Sequence, residues 1–525
     1  MILQITASKD SYITNKIIDS KTRVTDANVG YASTIDLFKL YNESSISGED
    51  TPIELSRGLI KFNLSEFSSS LKDKVSMDDS SFKVYLEMFD VQGTQVAPSN
   101  FTLVLYPLSR SFDEGIGTDV VYFNDLDRVN WVTASYSNSS NNLWDETGAK
   151  SSGSLGSSNI DLISSGNLLV QDADNYASSA MINLTAQQYF ETGRENLSLD
   201  ITTIASASMC GFIPDCGFLL AFSGSEEWDS KTRFVKRFAS RHSRNPYKRP
   251  RIRAEWDSSV IDYHNMLEFG TSGSLYLSSY NYNKPANLLS GSTSADVTNV
   301  TTLTGADCLE LTLATGSFTA SISAGQVLLN GMYQTGLYSA SFSLNQFDQT
   351  TTSYSKTLEQ HLIDSGSITM TERWKDATNK KYVYLEKEIT IYAPNILANR
   401  SRRDLRFSIL DLKSEYKKGS NGRVRVFARD RNRADEPSRY PFALTSIALK
   451  EVYYQIKDAD NGETLVDFKK SDTTNATRIN SDADGMYFDL PIDILPSGKA
   501  YTINLLVVER GTSSIYETHT RFIVK

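Results

Sequence analysis

The chain has 525 residues and a formal net charge of −10, with 40% hydrophobic, 22% charged and 11% aromatic residues. That length suits about three domains of roughly 150 residues, each able to bury a core, and the acidic balance excludes a chain that coats nucleic acid through its overall charge. Three cysteines (Cys210, Cys216, Cys308) and four scattered histidines (His242, His264, His361, His519) do not make a disulfide framework and argue against a zinc centre.

The N-terminal stretch MILQITASKDSYITNK has no basic segment followed by an apolar one, and nowhere do 18 apolar residues run together. The expectation is a chain that stays in the cytosol or is assembled there and released by lysis. Period-two alternation then dominates, as in Phe82-Lys83-Val84-Tyr85-Leu86-Glu87-Met88, in Phe101-Thr102-Leu103-Val104-Leu105-Tyr106 and in Tyr382-Val383-Tyr384-Leu385. Such alternation marks half-buried strands. Short helices are predicted only at 186–192 and 261–269. Polar stretches at 135–142 and 150–159 read as loops long enough for a sandwich. Breaks fall near 257, after Trp256, and near 395, after Pro394, which gives units 1–257, 258–395 and 396–525. The last unit offers seven short strands, at 405–412, 423–428, 447–456, 463–468, 485–490, 501–509 and 519–524, the pattern of an immunoglobulin-like sandwich. The predicted fold class is all-β, with three consecutive β-sandwich domains.

The stretch 217–256 closes the first unit: an apolar strand at 218–222, an acidic turn with Glu226, Glu227 and Asp229, a basic segment, and a Pro-bounded strand ending at Trp256. Together with earlier fragments it resembles the DNRLRE domain family. The matching fragments are Asp10-Ser11-Tyr12-Ile13, Arg57-Gly58-Leu59-Ile60-Lys61-Phe62-Asn63-Leu64, Ser111-Phe112-Asp113-Glu114-Gly115 (with Phe where the family has Trp), Val129-Asn130-Trp131, Ile182-Asn183-Leu184-Thr185, Gly217 to Leu220, Phe238-Ala239-Ser240-Arg241 and Pro250-Arg251-Ile252. The resemblance spans about 1–257. It implies an N-terminal jelly roll related in shape to carbohydrate-binding modules. The long form of 226–264, and Gly336 to Phe342 further on, look most like the version found in virions of tailed bacteriophages. Within the signature, Leu59, Phe62 and Leu64 supply an inward apolar set, and Arg57 and Lys61 pair with carboxylates or cap the sandwich edge.

No catalytic motif appears: no Gly-x-Ser-x-Gly elbow, no phosphate loop, no His-Glu-x-x-His. Glu226 and Glu227 are adjacent and read as a solvated acidic turn pairing with nearby arginines, not as a glycosidase pair. Asp113 and Glu114 read as scaffold, with ligand or metal contact the lesser reading. No cofactor is predicted, and a structural Ca²⁺ is the one candidate ion, at Asp172-Ala173-Asp174-Asn175 or Asp482-Ala483-Asp484-Gly485.

The basic run 231–253 reads as strand arginines bridging to acidic groups or to a neighbouring subunit, ahead of an acidic glycan or DNA. Arg400, Arg402, Arg403, Arg425, Arg429 and Arg431, with Arg433 and Arg439, stand amid Asp430, Asp435 and Glu436. That mixture suits a wet protein–protein contact. Tyr276, Tyr280 and Tyr282 read as strand or interface packing, with Tyr280 and Tyr282 on one strand face as the second reading, a place where a sugar ring could stack.

The expected function is a non-enzymatic structural protein of a tailed-phage virion, an accessory of neck, tail or head. It is assembled in the host cytoplasm in several copies, docks on other virion proteins, and involves no nucleic acid and no membrane. The alternative is a carbohydrate-binding module of a bacterial surface protein, or a phage adhesin contacting host glycan.

Overall fold

The computed structural model describes the chain except for 20, 94–95, 122–124, 126, 138–139, 172–176, 265, 268–271, 283, 291–299, 317, 346, 349–356, 379–381, 393–403, 432–445, 471–473 and 510. It is all-β and built of β-sandwiches, and it separates into two compact units. One comprises 2–73 and 82–255; the other comprises residue 1, 74–81 and 256–525. Residues 393–403, which hold the expected break near 395, lie outside the described residues. Among the described residues no helix is long and apolar enough to cross a membrane.

The first unit has two principal antiparallel sheets. Four strands, Ile2–Thr6, Arg251–Glu255, Lys83–Met88 and Leu197–Asp200, make the smaller. The larger runs Ala186–Phe190, Phe101–Pro107, Phe218–Phe222, Ile53–Lys61, Thr34–Tyr41 and Arg233–Ala239, with Lys9–Thr14 also paired to Ile53–Lys61. Ile53–Lys61 is the hub of this sheet, and seven of its nine residues are buried.

Alternation accounts for the core. Val84, Leu86 and Met88 are buried while Lys83, Tyr85 and Glu87 between them are only partly covered. Aromatic rings fill the middle: Phe101 stacks on Phe190 at 4.9 Å and meets Phe222 edge-on at 5.4 Å. Leu59, Phe62 and Leu64, the inward set of the signature, are all buried. Phe112, which stands where a Trp was expected, joins Trp131, Trp144 and Ile13 in a second cluster.

The stretch 186–192 is not a helix. Ala186–Phe190 is an edge strand paired to Phe101–Pro107. Gln187 and Tyr189 face outward while Ala186 and Phe190 are buried, so tertiary pairing overrides a composition that suits either state. No helix forms among the described residues of 261–269. The helices that do form are short: Leu64–Leu71, Thr202–Met209, Gly224–Trp228 and Leu358–Ser365.

In the second unit, six strands share one core: Ser272–Ser278, Met332–Ser343, Phe318–Leu329, Leu309–Thr315, Ser367–Asp376 and Val383–Tyr392. Phe318–Leu329 turns the corner between two layers. Its first half pairs with Leu309–Thr315 and its second half, from Gly325, with Met332–Ser343. A Cβ on Gly325 would lie 2.8 Å from the Asp307 nitrogen, so only glycine fits the bend.

The rest of this unit is a sandwich of a four-stranded sheet (Leu405–Leu410, Gly422–Asp430, Gly485–Leu490, Asn480–Asp482) and a five-stranded sheet (Glu415–Tyr416, Thr512–Val524, Lys499–Glu509, Val452–Asp458, Thr464–Val466). Tyr454 of one sheet stacks on Phe488 of the other at 4.5 Å. The strands Glu415–Tyr416 and Asn480–Asp482 escaped the sequence reading because each is only two or three residues long.

The acidic turn of the first unit is the short helix Gly224–Trp228, and Glu227 is buried rather than solvated. Its carboxylate takes both prongs of Arg57, at 3.0 and 2.5 Å. The remaining Arg57 donor reaches the Gly148 and Ala149 carbonyls at 2.8 and 2.9 Å. Removing Arg57 strands a desolvated carboxylate. Arg57→Ala is therefore expected to cost about 3–5 kcal/mol in urea unfolding, and Arg57→Met with Glu227→Leu to recover most of it.

Candidate recognition surface and buried charge centres

Six cations of the basic run 231–253 pair with carboxylates inside their own unit, Arg241 with Glu114 among them. Arg233 grips Asp229 (2.7 Å), Lys236 meets Asp90 (2.5 Å), Arg237 meets Asp36 (2.6 Å), and Arg251 and Arg253 share Glu87 (2.6 and 2.9 Å). Lys39 is wholly buried and reaches the same Asp229 at 2.7 Å. The Arg233 and Lys39 hydrogen bonds hold the Asp229 carboxyl far below the usual carboxylate range. Alternation predicted the scatter of these cations over several faces but not their partners, which lie up to about 200 residues away in sequence.

Asp113 and Glu114 act as scaffold here. Glu114 takes two bonds from Arg241 (2.5 and 2.7 Å) and one from the Asp10 amide (2.9 Å). Asp10 accepts the Arg241 amide at 2.5 Å. Asn28 holds the loop from inside, donating to the Glu114 and Val129 carbonyls and accepting from the Gly30 and Gly117 amides. Gly30 has to be glycine, because its Cβ would sit 1.9 Å from the Glu114 oxygen.

Asp10, Glu114 and His242 place one ligand atom each within 4.8 Å of one another. Burial pushes the Asp10 carboxyl up to about 7, against the Arg241 amide, which lowers it. A guanidinium already sits on both Glu114 oxygens, so a cation would have to displace it; the trio does not fit a metal as arranged. Of the two calcium loops, 172–175 lies outside the described residues. In the other, Asp482 is occupied by Arg425 and also caps the Asp484 amide.

Arg400, Arg402, Arg403, Arg433 and Arg439 lie outside the described residues. Arg425 is committed: it pairs two-pronged with Asp482 (2.8 and 2.9 Å) and lies 3.5 Å from Asp484. Arg431 behaves differently. Arg429 is the cross-strand partner of Arg406, so two like charges stand side by side. Arg431 and Arg406 meet Asp404 only loosely, at 3.6 and 3.9 Å, with side chains 60% and 67% exposed.

Tyr280 and Tyr282 are exposed, at 62% and 97%, but they do not share a strand face. The strand Tyr280–Asn281 pairs with Lys284–Pro285, and Tyr282 takes the left-handed turn at the tip, with φ 48°. Tyr276 sits back in the sheet, partly buried. Sequence reasoning missed the arrangement around Tyr487. The Arg423 guanidinium covers its ring at 4.2 Å and Arg425 lies over the same ring at 5.7 Å.

The other missed centre is His264. Its Nδ1 lies 2.5 Å from Asp262 and its Nε2 3.0 Å from Glu372, while Trp374 Nε1 donates to Glu372 at 2.5 Å and Lys387 stands 3.6 Å away. Asp262 is in turn fastened to Ser481: the Asp262 amide donates to its hydroxyl, which donates to the Asp262 carbonyl. Burial alone would depress His264, but the hydrogen bonds its ring donates to Asp262 and Glu372 outweigh it and raise its pKa to about 9. The same imidazolium holds Glu372 low although burial would raise it. Alternation along 367–376 would have shown that Glu372 points inward; nothing in the sequence shows what it meets.

The folded pKa of His264 lies above its unfolded value of about 6.5. Its stabilisation is therefore full below about 6.5 and is lost as pH rises through about 9. Melting temperature measured between these limits should fall, and His264→Gln should flatten that slope while lowering stability at acid pH.

No family model matches the chain, and no curated protein does. Among solved structures, the adhesin InvE of Yersinia pseudotuberculosis is 11% identical, over 51% of this chain and 56% of that one, with a TM-score of 0.16. The three N-terminal domains of the bacteriophage RB49 highly immunogenic outer capsid protein are 7% identical over 50% and 56%, at 0.12. A DUF4785 family protein of Legionella pneumophila is 9% identical over 98% and 92%, at 0.13. These scores lie far below those of shared folds, so the functional reading rests on this chain's own residues.

Proposed function

We propose that this protein is a non-enzymatic structural component of a tailed-phage virion, an accessory of neck, tail or head that docks on other virion proteins in several copies. The observation that carries the reading is the cluster on Leu405–Leu410 and Gly422–Asp430: Arg406 beside Arg429, with Arg431 adjacent and Asp404 held only at 3.6–3.9 Å. Exposed pairs of that length contribute about 0–1 kcal/mol, so Arg406 and Arg431 can exchange Asp404 for the carboxylates of an acidic neighbour. By contrast, the described cations of 231–253 named above are locked internally, which suits a rigid block whose docking charge is placed elsewhere. The resemblance of the first unit to the phage form of DNRLRE domains supports the same assignment.

Purified particles labelled with antibody to the first unit should show label at one fixed site under the electron microscope. Rising salt should release the protein, and Arg406→Glu with Arg431→Glu should abolish attachment without changing the melting temperature. Label on the bacterial surface instead, or attachment indifferent to salt and to the charge reversals, refutes the proposal.

A further inference from the structure

The first unit buries a lysine whose surroundings suit an amide better than an ammonium. Lys236, in the strand Arg233–Ala239, has a wholly inaccessible side chain. Its Nζ donates to Asp90 Oδ1 at 2.5 Å and to the Gly193 and Glu195 carbonyls, both at 2.9 Å. The rings of Phe238 and Phe190 lie 4.7 and 5.3 Å from it. Asp90 follows the strand Lys83–Met88 of the smaller sheet. Its backbone is pinned: the amide donates to Asn196 at 2.9 Å, and a bridge joins it to Phe238. Both side chains therefore start from fixed strands and meet in a dry, aromatic space.

Two ions in such a setting carry a desolvation cost that a neutral bond between them removes. Their condensation needs no outside reagent. The Lys236 nitrogen adds to the Asp90 carboxyl carbon, a C–N bond forms and a C–O bond breaks. The departing oxygen leaves as water with two protons from the ammonium, and nothing is oxidised or reduced. The single N–H of the resulting amide still has the Gly193 or Glu195 carbonyl to bond. Holding amine and carboxyl in contact replaces a bimolecular encounter by a unimolecular step. Burial also favours the neutral, nucleophilic amine, lowering the Lys236 pKa against the pull of Asp90. Glu195, whose carbonyl accepts from the ammonium, keeps one carboxylate oxygen buried without a partner, which leaves that residue an unoccupied base. The neighbouring pair of Lys39 and Asp229 lacks this freedom, because both prongs of Arg233 also grip Asp229 and keep it ionised. Among the described residues, no donor but Lys236 reaches the Asp90 carboxylate.

We propose that Lys236 and Asp90 condense after folding into an intramolecular isopeptide bond, a covalent tie between the edge of the larger sheet and the smaller sheet of the first unit. The bond depends only on the interior of this unit, so it stands or falls independently of the virion reading.

The test is the intact mass of the full chain after prolonged incubation, folded, at neutral pH, read together with a proteolytic map. The expected mass is that of the sequence less one water, and the map should contain one branched peptide joining the segment of Lys236 to that of Asp90. Lys236→Arg and Asp90→Ala should each restore the full mass. A wild-type chain that keeps its full mass overturns the proposal, and so does a water loss mapped to another pair of residues or to a single linear peptide, or one that persists in either variant. Because the deciding mass and map come from the wild-type chain, the result does not depend on whether the variants fold.

Discussion

A charge removed from water must find its opposite, and much of this protein follows from that requirement. Arg57 and Glu227 are both nearly inaccessible, and they come from the central strand of the larger sheet and from a helix 170 residues later. Neither is tolerable alone in the interior. Their meeting fixes how the Gly224–Trp228 helix lies against the sheet, and through the Gly148 and Ala149 carbonyls it also positions the loop against which Trp131 packs. Lys39 with Asp229 and Lys236 with Asp90 impose the same kind of constraint on neighbouring strands. A buried apolar face already excludes a one-residue slip, which would turn it to solvent; a buried ion pair also excludes the two-residue slip that would keep the faces.

The strands were readable because alternation is local. Lys83–Met88 declares its buried face within six residues, and so does Ser367–Asp376. The signature around Arg57 stood out by its residue order and not by alternation, since Glu54, Ser56 and Arg57 are buried there beside Leu55, Leu59 and Ile60. The buried partners were not legible. Glu227 looked like a turn residue among acids, and the Arg57 that neutralises it is too distant in sequence for any pattern to join them. His264 was one of four unremarked histidines until Glu372 and Asp262 closed around it.

The recognition surface divides in the same way. Exposed tyrosines in a polar stretch stood out in the sequence, but their placement on a shared strand face did not survive, because the chain turns at Tyr282. Arg425 looked like a docking residue by composition, yet it is bound to Asp482 and belongs instead to the framework beside Tyr487. Charge density in a sequence counts ions; whether an arginine is available depends on the geometry of the nearest carboxylate. At 2.8 Å and two-pronged it is committed, and at 3.6 Å and open to water it is not.

The bend at Gly325 has a mechanical side. Because Phe318–Leu329 is hydrogen-bonded into both layers of its sheet, neither layer can slide past the other without breaking a ladder at the corner. Both ladders close hairpins, so chain tension would unzip them bond by bond, while a sideways load between the layers meets the corner, where one strand carries the bonds of both.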